Sequence, residues 1–142
     1  MDSVTPLPID RPYVKMALMI EDDPDMLELL EFYLKDAGYY PLVFTNAEDV
    51  LTILRSLVIE IIIIDLILPG MDGVEFVREI ERHKRRNAPI LVISASEQGQ
   101  RRAQEINAEG YMQKPLSFPR LIQLVNRLVE EHGALRRYEA LL

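Results

Sequence analysis

No cysteine occurs anywhere in the 142 residues. Disulfides and thiolate metal centres are thereby excluded, and a reducing, cytoplasmic setting is the default. Long apolar runs are missing too. The most apolar stretch, residues 59–66, is broken by Glu60 and Asp65 and falls far short of the roughly 20 residues a membrane helix needs. The first 14 residues, MDSVTPLPIDRPYV, hold three prolines and two acids. They have no apolar core and so are not a signal peptide; they read as a flexible or extended leader. Positive charge is outnumbered, 16 Lys and Arg against 23 Asp and Glu, and the net charge of −7 argues against non-specific binding of nucleic acid. There is no internal repeat and no low-complexity tract. Neither phosphate-cradling glycine pattern, GxxxxGK[ST] or GxGxxG, is present. What remains is 49% hydrophobic and 27% charged, the composition of one globular domain able to bury a real core.

The chain is organised around residues 59–73, IEIIIIDLILPGMDG. Nearly every residue up to Asp65 is β-branched, and Pro69-Gly70 bounds the run. That reads as a strand buried on both faces, central in a parallel sheet. Chemistry in open α/β sheets lies beyond the carboxyl ends of the strands, which is where Asp65 stands.

The remaining elements follow in order. Residues 15–20 (KMALMI) form a first strand ending in Glu21, Asp22 and Asp23. Asp23 before Pro24 reads as a helix cap, and Leu27, Leu30, Leu34 and Ala37 then recur at helical spacing until Gly38. Residues 39–44 (YYPLVF) are a strand, placed at an edge by Pro41. Thr45-x-x-Glu48 is a capping box for a helix to about Leu57, with Val50, Leu51, Leu54 and Leu57 inward. Asp72-x-x-Glu75 caps a third helix with Phe76, Val77 and Ile80 buried. Residues 89–94 (PILVIS) are a fourth strand. The following helix, within 96–107, is mostly polar, with Ala103 and Ile106 inward. Residues 110–113 (GYMQ) are a fifth strand, broken by Lys114-Pro115. A fifth helix starts near Pro119 and carries Leu121, Leu124, Val125, Leu128 and Val129. The expected organisation is a leader (1–14), a domain (15–131) and a C-terminal helical extension (132–142). Leu121, Leu128, Leu135 and Leu142 recur every seven residues, as in a coiled-coil stub. Gly133 and Glu131 favour a terminated helix followed by a short amphipathic one.

Strict alternation gives α/β class: a doubly wound (βα)5 parallel sheet, flavodoxin-like, with strand order 2-1-3-4-5 and its switch point between strands 1 and 3. One edge of the sheet then gathers Glu21, Asp22, Asp23, Asp65, Ser94 and Lys114. Several carboxylates in one cleft repel unless a cation is present. An all-oxygen site suits Mg²⁺, which takes one or two carboxylates and keeps waters. With a mobile ammonium and a hydroxyl added, the set suits a phosphoryl group. Without a glycine-rich loop, that group is more plausibly carried on Asp65 itself than held as a nucleotide.

Residues from about 15 to 130 resemble the receiver domain of two-component response regulators. The resemblance rests on MIEDDPDMLELL, IIIIDLILPGMDG, LVISAS and GYMQKPLS, in that order and at the usual separations. It implies that Asp65 is the phosphoacceptor, served by a histidine kinase or phosphotransfer protein. It implies Mg²⁺ held by Asp22, Asp65 and the backbone carbonyl of Ile67, with Glu21 acting through water. Ser94 and Lys114 would contact the phosphoryl oxygens, and the rotamer of Tyr111 would follow Ser94. The Lys114–Pro115 bond is typically cis in such domains. The resemblance implies a signalling switch rather than an enzyme, assisting its own phosphorylation and dephosphorylation. The expected partners are an unknown output protein or a second copy through the fourth and fifth helix face, with no direct nucleic-acid or membrane contact.

Two positions depart from the family's commoner residues. Ile67 and Ser96, each two past a site residue, stand where polar or larger groups are frequent, and both are expected to modulate phosphoryl lifetime. Leu116 replaces a commoner Phe. Bland readings stand beside these: Tyr111 as core, Ser94 as a strand end, His83 and His132 as solvated. The basic run 82–86 (RHKRR) reads as favourable charge at a helix C-terminus. Alternatives are a receiver belonging to a longer regulator with a DNA-binding or enzymatic output domain, a non-phosphorylated scaffold, and a haloacid-dehalogenase-like phosphotransferase. That last class wants a second Asp where Ile67 stands.

Overall fold

Strands and helices alternate along the whole described chain. The computed structural model describes residues 15–53, 58–67, 72–82 and 88–141. The elements are β1 (Lys15–Ile20), α1 (Pro24–Asp36), β2 (Tyr39–Phe44), α2 (Ala47–Ile53), β3 (Ile61–Asp65), α3 (Gly73–Arg82), β4 (Ile90–Ser94), α4 (Gly99–Glu105), β5 (Gly110–Gln113) and α5 (Phe118–Ala140). The five strands are parallel in the order β2-β1-β3-β4-β5. The apolar runs of β1 and β3 are neighbours, and β2, which contains Pro41, is an edge. No helix among the described residues is long and apolar enough to cross a membrane.

The two-residue period of the strands splits the core into two layers. Leu18, Ile20, Ile62, Ile64, Ile90 and Val92 face one side, packed with Val50 of α2, Phe76, Val77 and Ile80 of α3, and Ala103 of α4. Ala17, Met19, Ile61, Ile63, Leu91 and Ile93 face the other, against Leu27, Leu30 and Leu34 of α1 and Leu121, Val125 and Leu128 of α5. Every residue of β3 is buried, because helices cover both faces. Each such aliphatic side chain contributes about 1.5–3 kcal/mol of burial, enough to hold Asp65 in a rigid setting at the strand's end.

The helix starts show the local logic. Asp23 accepts a hydrogen bond from the Asp25 N–H at 3.0 Å, and Pro24 follows as the first helical residue. Gly38 ends the first helix at φ +92°, a left-handed conformation that glycine adopts without penalty. Asp72 Oδ1 accepts from the Glu75 N–H at 2.9 Å, the expected cap of α3. For α2 the expected Thr45/Glu48 box is corrected by one residue. Asn46 Oδ1 accepts from the Asp49 N–H at 3.0 Å, and the Asn46 amide donates to Asp49 Oδ2 at 3.1 Å. Asn is at least as good a cap as Thr, and here Asp49 returns the bond.

The fourth helix is shorter than the span 96–107 read from sequence, running Gly99–Glu105. Residues 95–98 are spent on a turn in which Ser96 Oγ accepts the Gln98 N–H at 3.1 Å. The expected break in the fifth helix is also corrected: α5 runs without interruption through Gly133 to Ala140. A glycine costs a helix interior about 1 kcal/mol, and neighbours such as Glu130, Glu131, Ala134 and Leu135 are good helix formers. Expectations for the leader, for Leu54, Leu57, Pro69, Gly70, His83, residues 84–86 and Leu142, and for the side chains of Arg82 and Leu135, lie outside the described residues.

Candidate functional site

Parallel strands bring all their carboxyl ends to one edge, so residues remote in sequence meet there. Glu21 follows β1, Asp65 ends β3 and Ser94 ends β4; all three are buried. Lys114 follows β5, and its N–H donates to the Ser94 carbonyl at 2.9 Å. The Lys114–Pro115 peptide bond is cis, as the resemblance implied.

One ammonium ties the edge together. Lys114 Nζ donates to Asp65 Oδ2 at 2.7 Å and to Glu21 Oε2 at 2.8 Å. Each carboxylate uses its other oxygen on its own loop. Asp65 Oδ1 accepts the Ile67 N–H at 2.9 Å, and Glu21 Oε1 accepts the Asp23 N–H at 3.2 Å. Burial pushes the Glu21 carboxyl above its ordinary value; the Lys114 hydrogen bond opposes this and the Asp65 charge reinforces it. Burial alone would lower the Lys114 ammonium, but the hydrogen bonds and charges of Asp65 and Glu21 outweigh it and hold it above its ordinary value. The lysine is therefore a fixed positive charge between two acids.

The loop after Asp65 is clasped by Gly73. Its N–H donates to the Leu66 carbonyl at 3.0 Å. A Cβ on Gly73 would stand 2.8 Å from Leu66 Cα and 2.9 Å from the Asp65 carbonyl, so only glycine allows this approach. Asp72, beside it, also lies 3.6 Å from Arg102 of α4. Sequence reading took Asp72 as a helix cap and missed both contacts; Asp-Gly just after a buried strand is the signal for the first, and no local signal marks the second.

The remaining expected residues divide. Ser94 Oγ accepts the Ser96 N–H at 3.1 Å, which joins Ser96 to the site. Tyr111 is half-buried against the layer formed with α2, α3 and α4. Asp22 is exposed, and Ile67 is 61% exposed beside Asp65. Among the described residues no three acidic or histidine side chains converge closely enough to hold a metal ion. What the structure brings together is Glu21, Asp65 and Lys114. Magnesium needs only one or two carboxylates, with water and carbonyl oxygens completing its shell. An all-oxygen donor set with two acids around one lysine fits that ion.

Known proteins resemble the chain in sequence and in fold. The pattern of the response regulator receiver domain matches residues 17–126. The chain is 34% identical over 128 residues to the transcriptional regulatory protein BaeR of Escherichia coli O6:H1, covering 89% of this chain and 52% of BaeR. It thus spans about half the length of that relative. It is 33% identical over 113 residues to an uncharacterised 14.6 kDa protein of Leptolyngbya boryana, covering 78% of this chain and 86% of that one. The fold matches the receiver domain of the sensor histidine kinase PA1611 of Pseudomonas aeruginosa PAO1, solved with a magnesium ion in its active-site cleft. There the TM-score is 0.75 at 24% identity, over 82% of this chain and 98% of that one.

Proposed function

The chain belongs to the response regulator receiver domain family of two-component signalling, and on that premise we propose that it is a phosphorylation-dependent switch with Asp65 as its phosphoacceptor. The observation that carries this is the Lys114 ammonium held between Asp65 and Glu21. A lysine at that point is ready to leave one carboxylate for phosphoryl oxygens as they arrive.

In the proposed step Asp65 Oδ2 attacks the phosphorus of a phosphohistidine in a histidine kinase or phosphotransfer protein. A P–O bond forms, the P–N bond breaks, and its electron pair goes to the departing imidazole. Charge spreads over three equatorial oxygens in a loose transition state. Asp22, Asp65 and the Ile67 carbonyl would hold Mg²⁺, with Glu21 acting through water; bound there, the ion supplies neutralising charge to those oxygens. Lys114 moves to one oxygen and the Ser94 hydroxyl donates to another. The product adds about −1.5 to −2 of charge, which favours the packing in which Ser94 lies toward Asp65 and Tyr111 follows.

The output is a change of protein contacts on the Ser94/Tyr111 side, made by an unidentified partner or by a second copy through the fourth and fifth helix face. A cytoplasmic setting is part of the same proposal. Because BaeR extends well beyond the matched region, a receiver within a longer regulator is the second reading. The test uses Mg²⁺ with beryllium fluoride, a non-transferable phosphoryl analogue. Together they raise the melting temperature of the protein and leave Asp65→Ala unmoved. An equal rise in Asp65→Ala, or none in the wild-type protein, contradicts the proposal.

A further inference from the structure

α4 is weakly seated. It is seven residues long and has no side-chain cap at its start, and a helix of that length has no stability of its own. Its neighbours must hold it. Within the helix only Gly99 and Ala103 are buried, where α1 buries Leu27, Leu30 and Leu34 and α3 buries Phe76, Val77 and Ile80. Gly99 packs directly on Tyr111: a Cβ there would stand 2.7 Å from the phenolic oxygen. The first large apolar side chain in the core comes just past the helix, at Ile106. With so little apolar area buried, a single polar contact counts for more.

That contact is made by Arg102, in the last turn of α4, whose guanidinium stands 3.6 Å from Asp72 Oδ2. Asp72 itself is held firmly. Its Oδ1 accepts the Glu75 N–H at 2.9 Å, and its carbonyl accepts the Phe76 N–H at 3.0 Å. The next residue, Gly73, gives its N–H to the Leu66 carbonyl at 3.0 Å. The carboxylate is thereby fixed to the chain that leaves Asp65. The pair is longer than the about 2.7–2.9 Å of a full charge-assisted hydrogen bond, so a small shift of either partner opens it.

We propose that the Asp72–Arg102 pair is an autoinhibitory tie. In the unoccupied protein it draws α4 onto the chain that follows Asp65, and it is released when Asp65 is occupied. The inference rests on the reading of Asp65 as phosphoacceptor. A phosphoryl group with its cation acts on the Asp65 carboxylate and the Ile67 carbonyl, on either side of Leu66. The Gly73 clasp passes a shift there to the Asp72 carboxylate, and the loose pair gives way. A tie made in the unoccupied state alone opposes occupation by whatever it contributes. The side chains are partly exposed, 30% for Arg102 and 40% for Asp72, which limits that contribution to at most about fivefold in an equilibrium.

The test uses the full chain. In the free protein Arg102→Gln should raise amide hydrogen exchange across residues 99–105 by about two- to fivefold and leave residues 27–34 unchanged. Equal exchange in α4 overturns the inference, with no phosphoryl chemistry involved. The second measurement is affinity for Mg²⁺ with beryllium fluoride. Arg102→Gln should bind about two- to fivefold more tightly than the wild-type protein. Asp72→Asn, which keeps an oxygen for the helix cap, should match it, and the double variant should gain nothing further. Arg102→Lys, which keeps the charge, should bind as the wild-type protein does. Unchanged or weaker binding by Arg102→Gln, gains that add in the double variant, or a lysine variant that behaves like the glutamine one overturns the tie. No binding by the wild-type protein strikes the acceptor reading instead, and the release with it.

Discussion

The Lys114 ammonium stands 2.7 Å from Asp65 Oδ2, although their strands, β5 and β3, are separated by β4. The lysine reaches over the end of the intervening strand, past Ser94, to a carboxylate 49 positions earlier in the chain. Its second bond, to Glu21, spans 93 positions. A single side chain therefore joins the ends of β1, β3 and β5 at the carboxyl edge of the sheet.

Removing that side chain leaves two buried acids without their cation. Breaking such a pair costs about 3–5 kcal/mol when fully buried, and the partial exposure of Lys114 (17%) places Lys114→Ala toward the lower figure. Urea unfolding without Mg²⁺ should show this loss, and added Mg²⁺ should restore part of it by supplying another positive charge. An unchanged midpoint, or no effect of Mg²⁺, would show that the lysine is not what holds the two acids together.

Glu21 gives a pH dependence of definite sign. Its folded pKa is raised above the ordinary 4.5, by burial first and by the Asp65 charge, against the pull of Lys114. The stability linked to this group is then fully present below the unfolded value and is lost as pH rises through the folded one. Without Mg²⁺, Glu21→Gln should gain on the wild-type protein as pH climbs from about 4 to about 7. Melting temperatures across that range measure it. A difference that stays constant with pH contradicts the assignment.

If Asp65 is the acceptor, Ile67 is expected to bear on how long the phosphoryl group lasts. It is 61% exposed beside the acceptor, and its N–H is already given to Asp65 Oδ1. With Asp65 as the proposed acceptor, a bulky apolar side chain there would screen the phosphorus from in-line water. Ile67→Asn should shorten the lifetime of the phosphorylated protein, followed by mass after removal of the donor. A lifetime equal to or longer than that of the wild-type protein sinks the idea.

The residues themselves explain how much of this was legible beforehand. The continuous apolar runs at 15–20 and 61–64 name the central strands, because only a sheet covered on both faces buries them. Once the strand order follows, Asp65, Glu21, Ser94 and Lys114 must share an edge. Which acid the lysine reaches depends on side-chain length and rotamer, and here it reaches both. Asn46 displaced Thr45 because two capping frames overlap by one residue. Gly133 did not stop α5 because one weak residue is outvoted by its neighbours. The contacts of Gly73, Gly99 and Arg102 are made to chain distant in sequence or to backbone, and no periodicity marks them.

The most direct measurement is the intact mass of the protein after incubation with Mg²⁺ and acetyl phosphate, alongside Asp65→Ala. Phosphorylation on Asp65 predicts a gain of about 80 Da, one phosphoryl group, in the wild-type protein with Mg²⁺ and in neither the variant nor the metal-free sample. An equal gain in Asp65→Ala, or none under any condition, would contradict Asp65 as the acceptor.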